Sequence, residues 1–180
     1  MRYLNGTHDF GLYYKRSEKF ELRAYTDADW GDNIDDRKST SGGALFLGRR
    51  LVTWTSKKKS CTSQSTTEEE YVAAAINCTN IMSTKHLLKG MKEEITEPMI
   101  LYCDNTSVIN ISRNHVMHAK KKHITIKYHY VRELVEDKEV KMEYINTKEQ
   151  IADIFTKPLP KDEFEYLRGK LGVIPLTKAI

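Results

Sequence analysis

An α/β domain built on a mixed five-stranded sheet is the fold this sequence predicts, and three observations lead there. The first third carries short alternating or apolar segments divided by turn chemistry: residues 21–26 (ELRAYT), GALFLG and LVTWTS. A long helical segment then runs into a continuous apolar stretch of strand length, MILYC at 99–103. Beyond it, helical and strand patterns alternate to the end of the sequence. Strands joined by short turns should be antiparallel. Strands joined through helices should be parallel, with right-handed crossovers.

Residues 21–26 alternate and read as a strand ending at Asp27. DADWGDNIDDRKSTSGG, rich in Asp, Ser and Gly, reads as a loop. GALFLG and LVTWTS flank Gly48-Arg49-Arg50 and read as a hairpin. KKKSCTSQ is a basic polar connector. In QSTTEEEYVAAA, Ser65 and Glu68 match a capping box, as do Thr66 with Glu69 and Thr67 with Glu70. That spacing predicts a helix from there to Lys89, stopped by Gly90, with Tyr71, Ala75, Met82 and Leu88 on its apolar face. The continuous run at 99–103 predicts a buried parallel strand, closed by Asp104. NTSVINIS predicts a short helix. Ile124, Tyr128, Val131 and Val135 place a helix over 123–137. Residues 140–145 (VKMEYI) alternate as a last strand, KEQIADIFTK reads as a short helix stopped by Pro158, and 160–171 form an amphipathic helix with Phe164, Leu167 and Leu171 on one stripe.

The bulk properties exclude several classes. With 180 residues, the chain is long enough for one ordinary domain. Hydrophobic residues at 39% and charged residues at 30% are too apolar for a disordered chain. The longest apolar run, 72–76, cannot span a bilayer. The N-terminus MRYLNGTHDF lacks the apolar stretch of a secretory signal, so a secreted protein is not expected. Cys61, Cys78 and Cys103 are odd in number and widely spaced, which reads as free thiols in a reducing compartment rather than a disulfide framework. A net charge of +4 is compatible with a nucleic-acid partner and does not by itself identify one.

Four acidic residues hold distinctive places: Asp27 at a strand end, Glu70 near the start of the long helix, Asp104 at the end of the buried strand, and Asp153 on the short helix after the last strand. In an open α/β sheet such positions gather in one crevice. Carboxylates crowded together repel unless a divalent cation shares them, and oxygen ligands suit Mg²⁺ or Mn²⁺ rather than zinc. Each has a bland alternative: an Asx-turn for Asp27, a helix N-cap for Asp104, a dipole partner for Glu70, an exposed helix carboxylate for Asp153. Asp29, two positions from Asp27, is its rival on the same strand face. Of the three glutamates, Glu68 and Glu69 read as capping and dipole residues, because successive helical side chains point about 100° apart and cannot serve one site.

The stretches YTDADWGD, DDRKSTSGG, VTWTSKKK, STTEEEY, LYCDNTS, KHITIKYHYVRELVED and NTKEQIADIFTKPLP, in this order, resemble the RNase H domain of copia-type LTR retrotransposon polyproteins, over about residues 1–174. MRYLNGTHDFGLYY resembles the end of the reverse transcriptase connection that precedes that domain, whereas a YVDD-type polymerase motif is absent from this sequence. The resemblance implies an RNase H-like fold: a five-stranded mixed sheet, its first three strands antiparallel, with helices on both faces. It divides the chain into a connection tail (1–20), an RNase H-like domain (21–158) and a C-terminal amphipathic helix with its tail (159–180).

The resemblance also implies a metal-dependent endonuclease that hydrolyses the RNA strand of RNA–DNA hybrids during reverse transcription. Its catalytic and metal-binding residues would be Asp27, Glu70, Asp104 and Asp153. Two Mg²⁺ ions, replaceable by Mn²⁺, are the implied cofactors, with Asp27 bridging them, Glu70 and Asp104 completing one site and Asp153 holding the other. The implied partners are the hybrid and the reverse transcriptase of the same polyprotein, with no membrane and no small-molecule cofactor; the implied setting is a cytoplasmic virus-like particle, the nucleus, or both. The alternative function is a transposon-derived remnant or nucleic-acid-binding module without turnover. The family's long helix usually carries a tryptophan and an apolar residue where this chain has Ser83 and Thr84, which predicts a weakened core. Thr125 stands where the family usually has an acidic residue.

Arg37, Lys38, Ser39, Lys57, Lys58 and Lys59, with Asn105, are the candidate nucleic-acid contacts, because basic and hydroxyl side chains at loop ends suit phosphate oxygens. A solvated charge run is the plain alternative. His115, His118, His123 and His129 form a loose cluster without the cysteine spacing of a zinc site. The loop before the last acidic helix, Asn146-Thr147-Lys148, holds no histidine to handle protons.

Overall fold

The alternating and apolar segments assemble around a central strand in the computed structural model, which describes residues 7–14, 21–29, 38–59, 65–114 and 122–178, the last span with side chains from residue 126 on. Arg37, Cys61, His115 and His118 lie outside the described residues, as do the side chains of His123 and Thr125. The strands are β1 (Phe10–Leu12), β2 (Leu22–Asp29), β3 (Thr40–Leu47), β4 (Arg50–Lys58), β5 (Met99–Cys103), β6 (Val140–Tyr144) and β7 (Val173–Pro175). The helices are α1 (Thr66–Gly90), α2 (Thr106–Arg113), α3 (Lys122–Glu136) and α4 (Lys161–Leu171).

The main sheet has five strands in the order β4-β3-β2-β5-β6. β2, β3 and β4 are antiparallel neighbours, whereas β5 is parallel to both β2 and β6. The mixed sheet and its antiparallel first three strands are as the sequence implies. A two-residue turn, Gly48-Arg49, closes the β3–β4 hairpin; Gly48 has φ 62°, which a side chain would strain.

Period-two alternation divides β2 between the two sheet faces. Leu22 and Ala24 join Leu101, Met99, Val140 and Met142 in the larger core, sealed by Tyr71, Ala75, Cys78 and Ile81 of α1 and by Val131 and Leu134 of α3. Tyr25 turns to the other face, into a smaller core with Phe46, Leu51, Ile151 and Leu171. Helices therefore cover both faces.

Several boundaries differ from the sequence reading. β2 runs through Asp27 to Asp29, and the expected loop residues Thr40, Ser41, Gly42 and Gly43 belong to β3. Their Gly and Ser content reflects close approach rather than a turn. A Cβ on Gly42 would meet Ala152 O at 3.0 Å on one side, and one on Gly43 would overlap the Asn77 side chain of α1 on the other. That Asn77 amide donates to Thr26 Oγ1 (3.0 Å), Gly42 O (3.1 Å) and Ala73 O (3.0 Å), locking α1 to the sheet. Gly43→Ala is expected to destabilise the chain by about 1–3 kcal/mol through overpacking. The check is a lower urea midpoint at constant slope; an unchanged midpoint would show that Asn77 yields freely.

Gly90 is the last residue of α1 rather than its stop; the left-handed turn falls at Lys92, φ 66°. KEQIADIFTK forms two 3-10 segments, Thr147–Glu149 and Ile151–Phe155, in place of one α-helix. Ser83 is exposed and donates to Thr79 O (2.8 Å), while half-buried Thr84 donates to Asn80 O (2.9 Å). Both hydroxyls are satisfied at the helix surface, so the expected core weakening does not arise there. β1 and β7, three residues each, pair antiparallel and bring the two ends of the described chain together. Tyr14 Oη donates to Leu51 O (3.0 Å), and the Arg168 guanidinium lies 4.2 Å over the Phe10 ring.

Candidate active site

Parallel pairing of β2 and β5 sets the site. Tyr25 is in register with Tyr102, and their rings stack at 5.0 Å. Asp27 and Asp104 each lie two positions beyond that pair, so both emerge at the same end of the sheet. Asp27 is 4% exposed. Glu70 arrives from the opposite face: Ser65 Oγ caps α1 by accepting from Glu68 N (3.2 Å), and the first turns of the helix lie over the strand ends. The Glu70 carboxylate takes the Ala28 backbone N–H, beyond the last β2–β5 pair.

Asp153 comes from the 3-10 segment folded over Gly42 and is 1% exposed. Three side chains fix that segment. Gln150 Nε2 donates to Thr26 O (3.0 Å), and Thr156 Oγ1 donates to Asp27 Oδ2 and lies 3.1 Å from Asp153 O, the two acceptors sharing its one proton. Lys157 Nζ lies 2.8 Å from Asp153 Oδ2, an ion pair across one helical turn. On the far side, Thr147 Oγ1 donates to Asp104 Oδ2 (2.8 Å).

The four predicted carboxylates are thus brought together, and they act on one another. Burial, followed by the charges of Asp27 and Asp104, pushes Glu70 up to about 9. Burial raises Asp27 against the pull of Thr156 and Lys157. Burial and the Asp27 charge raise Asp153. Glu70 Oε2 and Asp153 Oδ1 are buried without a hydrogen-bond partner. Ligand atoms of Glu70, Cys103 and Asp104 lie within 4.8 Å of one another. Burial holds the Cys103 thiol protonated by raising its pKa, which leaves the oxygens as donors. Orphaned buried carboxylate oxygens, converging with their pKa values raised, fit hard divalent cations.

The other predicted positions divide. Lys57 and Lys58 are exposed on β4 itself rather than in a connector after it. Lys59 reaches Glu69 Oε2, and Glu69, in the first turn of α1, is fully buried. Ser39 is 1% exposed, while Lys38 is half-buried. Asn105 caps α2, its Oδ1 accepting from Ser107 N (3.0 Å) and Val108 N (3.3 Å), the role that the sequence had offered to Asp104. Asn77, Thr147, Gln150, Thr156 and Lys157 were missed as positioning residues. Their signal was polar residues set within otherwise apolar runs, most visibly in EQIADIFTK.

No family model matches the chain. It is 36% identical over 174 residues, 97% of its length, to the retrovirus-related Pol polyprotein from transposon RE2 of Arabidopsis thaliana. It is 37% identical over 173 residues, 96% of its length, to the corresponding polyprotein from transposon TNT 1-94 of Nicotiana tabacum. The chain spans 12% and 13% of those two relatives. Among solved structures, LC11-RNase H1 isolated from compost superposes with a TM-score of 0.55 at 12% identity, covering 76% of this chain and 93% of that one. The N-terminal RNase H domain of rv2228c from Mycobacterium tuberculosis gives 0.54 at 11% identity, covering 84% and 98%. The same compost RNase H1 solved in complex with RNA/DNA hybrid gives 0.52 at 12% identity, covering 76% and 94%. With homologues of this kind along nearly all of its length, the chain is homologous to one segment of copia-type retrotransposon Pol polyproteins, and it has the RNase H fold.

Proposed function

We propose that this chain hydrolyses the RNA strand of RNA–DNA hybrids during retrotransposon reverse transcription, at the crevice formed by Asp27, Glu70, Asp104 and Asp153. The observation that carries the reading is the convergence of these carboxylates from β2, α1, β5 and the 3-10 segment, with orphaned oxygens on Glu70 and Asp153. An RNase H fold, Pol homologues and a fold neighbour solved with RNA/DNA hybrid support it.

Two Mg²⁺ ions, or Mn²⁺ in their place, would supply an activated water and charge at the leaving oxygen. Asp27, Glu70, Asp104 and Asp153 are the residues that would hold them. Water adds to phosphorus, the bond to the 3′ oxygen breaks, and that oxygen leaves with a proton, giving a 5′-phosphate and a 3′-hydroxyl. Thr156 and Thr147 hold the Asp27 and Asp104 carboxylates in orientation. Glu70 would lie near the substrate 2′-hydroxyl, the group that separates RNA from DNA. Lys57 and Lys58 would meet phosphates along the sheet edge. Within the polyprotein the partner is its reverse transcriptase, and the setting a cytoplasmic particle or the nucleus. Among the described residues, no helix is long and apolar enough to cross a membrane.

The test is a comparison of labelled RNA–DNA hybrid, duplex RNA and duplex DNA with Mg²⁺, Mn²⁺ or chelator. Cleavage confined to the RNA of the hybrid and stopped by chelator is expected. A folded chain that cuts none of them, or cuts duplex DNA equally, contradicts the reading. Asp27→Asn should abolish the cleavage and Asp29→Asn should retain it; the reverse would move the site to Asp29.

A further inference from the structure

The carboxylate cluster already contains a cation of the chain's own. Among the described residues, the ammonium placed inside the cluster is that of Lys157, half-buried and 2.8 Å from Asp153 Oδ2. It follows Thr156, whose hydroxyl is bound to Asp27, so the backbone holding this ammonium is anchored to the site itself. One positive charge is too little for Asp27 and Asp153 together, and Asp153 Oδ1 stays without a partner.

We propose that Lys157 is a tethered counter-ion of the Asp153 side of the site, which competes with a second divalent cation for that carboxylate. This rests on the two-cation reading above. Both cations would draw on the one Asp153 carboxylate, so the lysine taxes the Asp153 side and spares the Glu70–Asp104 side. Its long stem, with the side chain 30% exposed, has an open route outward. The two sides should therefore fill unequally, the Asp153 side last. Lys157 is a positioning residue in this role, acting through the occupancy of the site and not through contact with the reacting atoms.

Calorimetric titration of Mn²⁺ into the chelator-stripped chain, without nucleic acid, tests this. Wild type should show a tighter and a weaker event. Lys157→Met, which keeps the stem and removes the charge, should tighten the weaker event about tenfold, because a competing charge at contact distance is gone, and leave the tighter one within about twofold. Lys157→Arg, which keeps the charge, should leave the weaker event weak. In chelator, Lys157→Met should melt below wild type, and saturating Mn²⁺ should raise its melting temperature more than that of wild type. If Lys157→Met does not fold, Lys157→Gln carries the same comparison. A weaker event that is unchanged or loosened in the uncharged variant overturns the proposal while leaving the two-cation reading standing. A wild-type chain that binds no Mn²⁺ overturns both.

Discussion

Glu70→Gln should abolish metal-dependent hybrid cleavage, a loss of at least about a thousandfold, comparable to removing one strong stabiliser of transition-state charge. Glu68→Gln should leave the rate within about threefold, since Glu68 is a first-turn residue of α1 whose backbone N–H is capped by Ser65. A structural readout separates this from simple damage. In the folded, metal-free chain Glu70 keeps its proton to about 9, whereas the ordinary value is 4.5. Between those values the folded chain holds the extra proton, so stability falls as pH rises, by about 1.4 kcal/mol per pH unit for one group. Below the lower value the penalty is absent; above the upper one it is complete. Asp27 and Asp153 shift in the same direction. Glu70→Gln should therefore flatten, without erasing, the decline in urea stability from pH 5 to 9 in chelator. A variant that cleaves normally, or has an unchanged pH slope, contradicts this placement of Glu70.

Lys59→Met should destabilise the chain by about 3–5 kcal/mol, because it strands a buried carboxylate. Glu69 has no exposed side-chain surface, Lys59 retains 15%, and Glu69 Oε1 has no partner of its own. Their pair joins the end of β4 to the first turn of α1, one residue before Glu70. Glu69→Met combined with Lys59→Met should recover most of the loss, since well-packed apolar pairs often match buried ion pairs. Urea unfolding of both single variants and the double variant checks this as a cycle. Near-additive losses would show that the two side chains do not act as a pair.

The sheet was legible because its strands carry patterns with one physical meaning. VKMEY alternates, with Val140 and Met142 buried and Lys141 exposed. MILYC is uninterrupted because β5 lies between β2 and β6. Asp104 was legible for the same reason, since it directly follows β5, whereas the reading set the end of β2 at Asp27, two residues short of Asp29. The Ser41-Gly42-Gly43 strand was hidden, because glycine required by the approach of Asn77 and Ala152 looks the same as glycine required by a turn. The ion pair of Glu69 was hidden because its partner lies ten residues away across a connector, and no local pattern marks such a pair. β1 and β7 are too short to carry a period, and only their mutual pairing defines them. Thr156 and Lys157 lay within a quoted motif, but their roles depend on a 3-10 fold-over that helical spacing does not predict.

The most direct measurement is anomalous diffraction from crystals of the chain grown with Mn²⁺ and an RNA–DNA hybrid. The account predicts two peaks about 3.5–4 Å apart, both against Asp27, one shared with Glu70 and Asp104 and the other with Asp153. A hybrid bound at the crevice with no peak there, or with peaks on other residues, would contradict it.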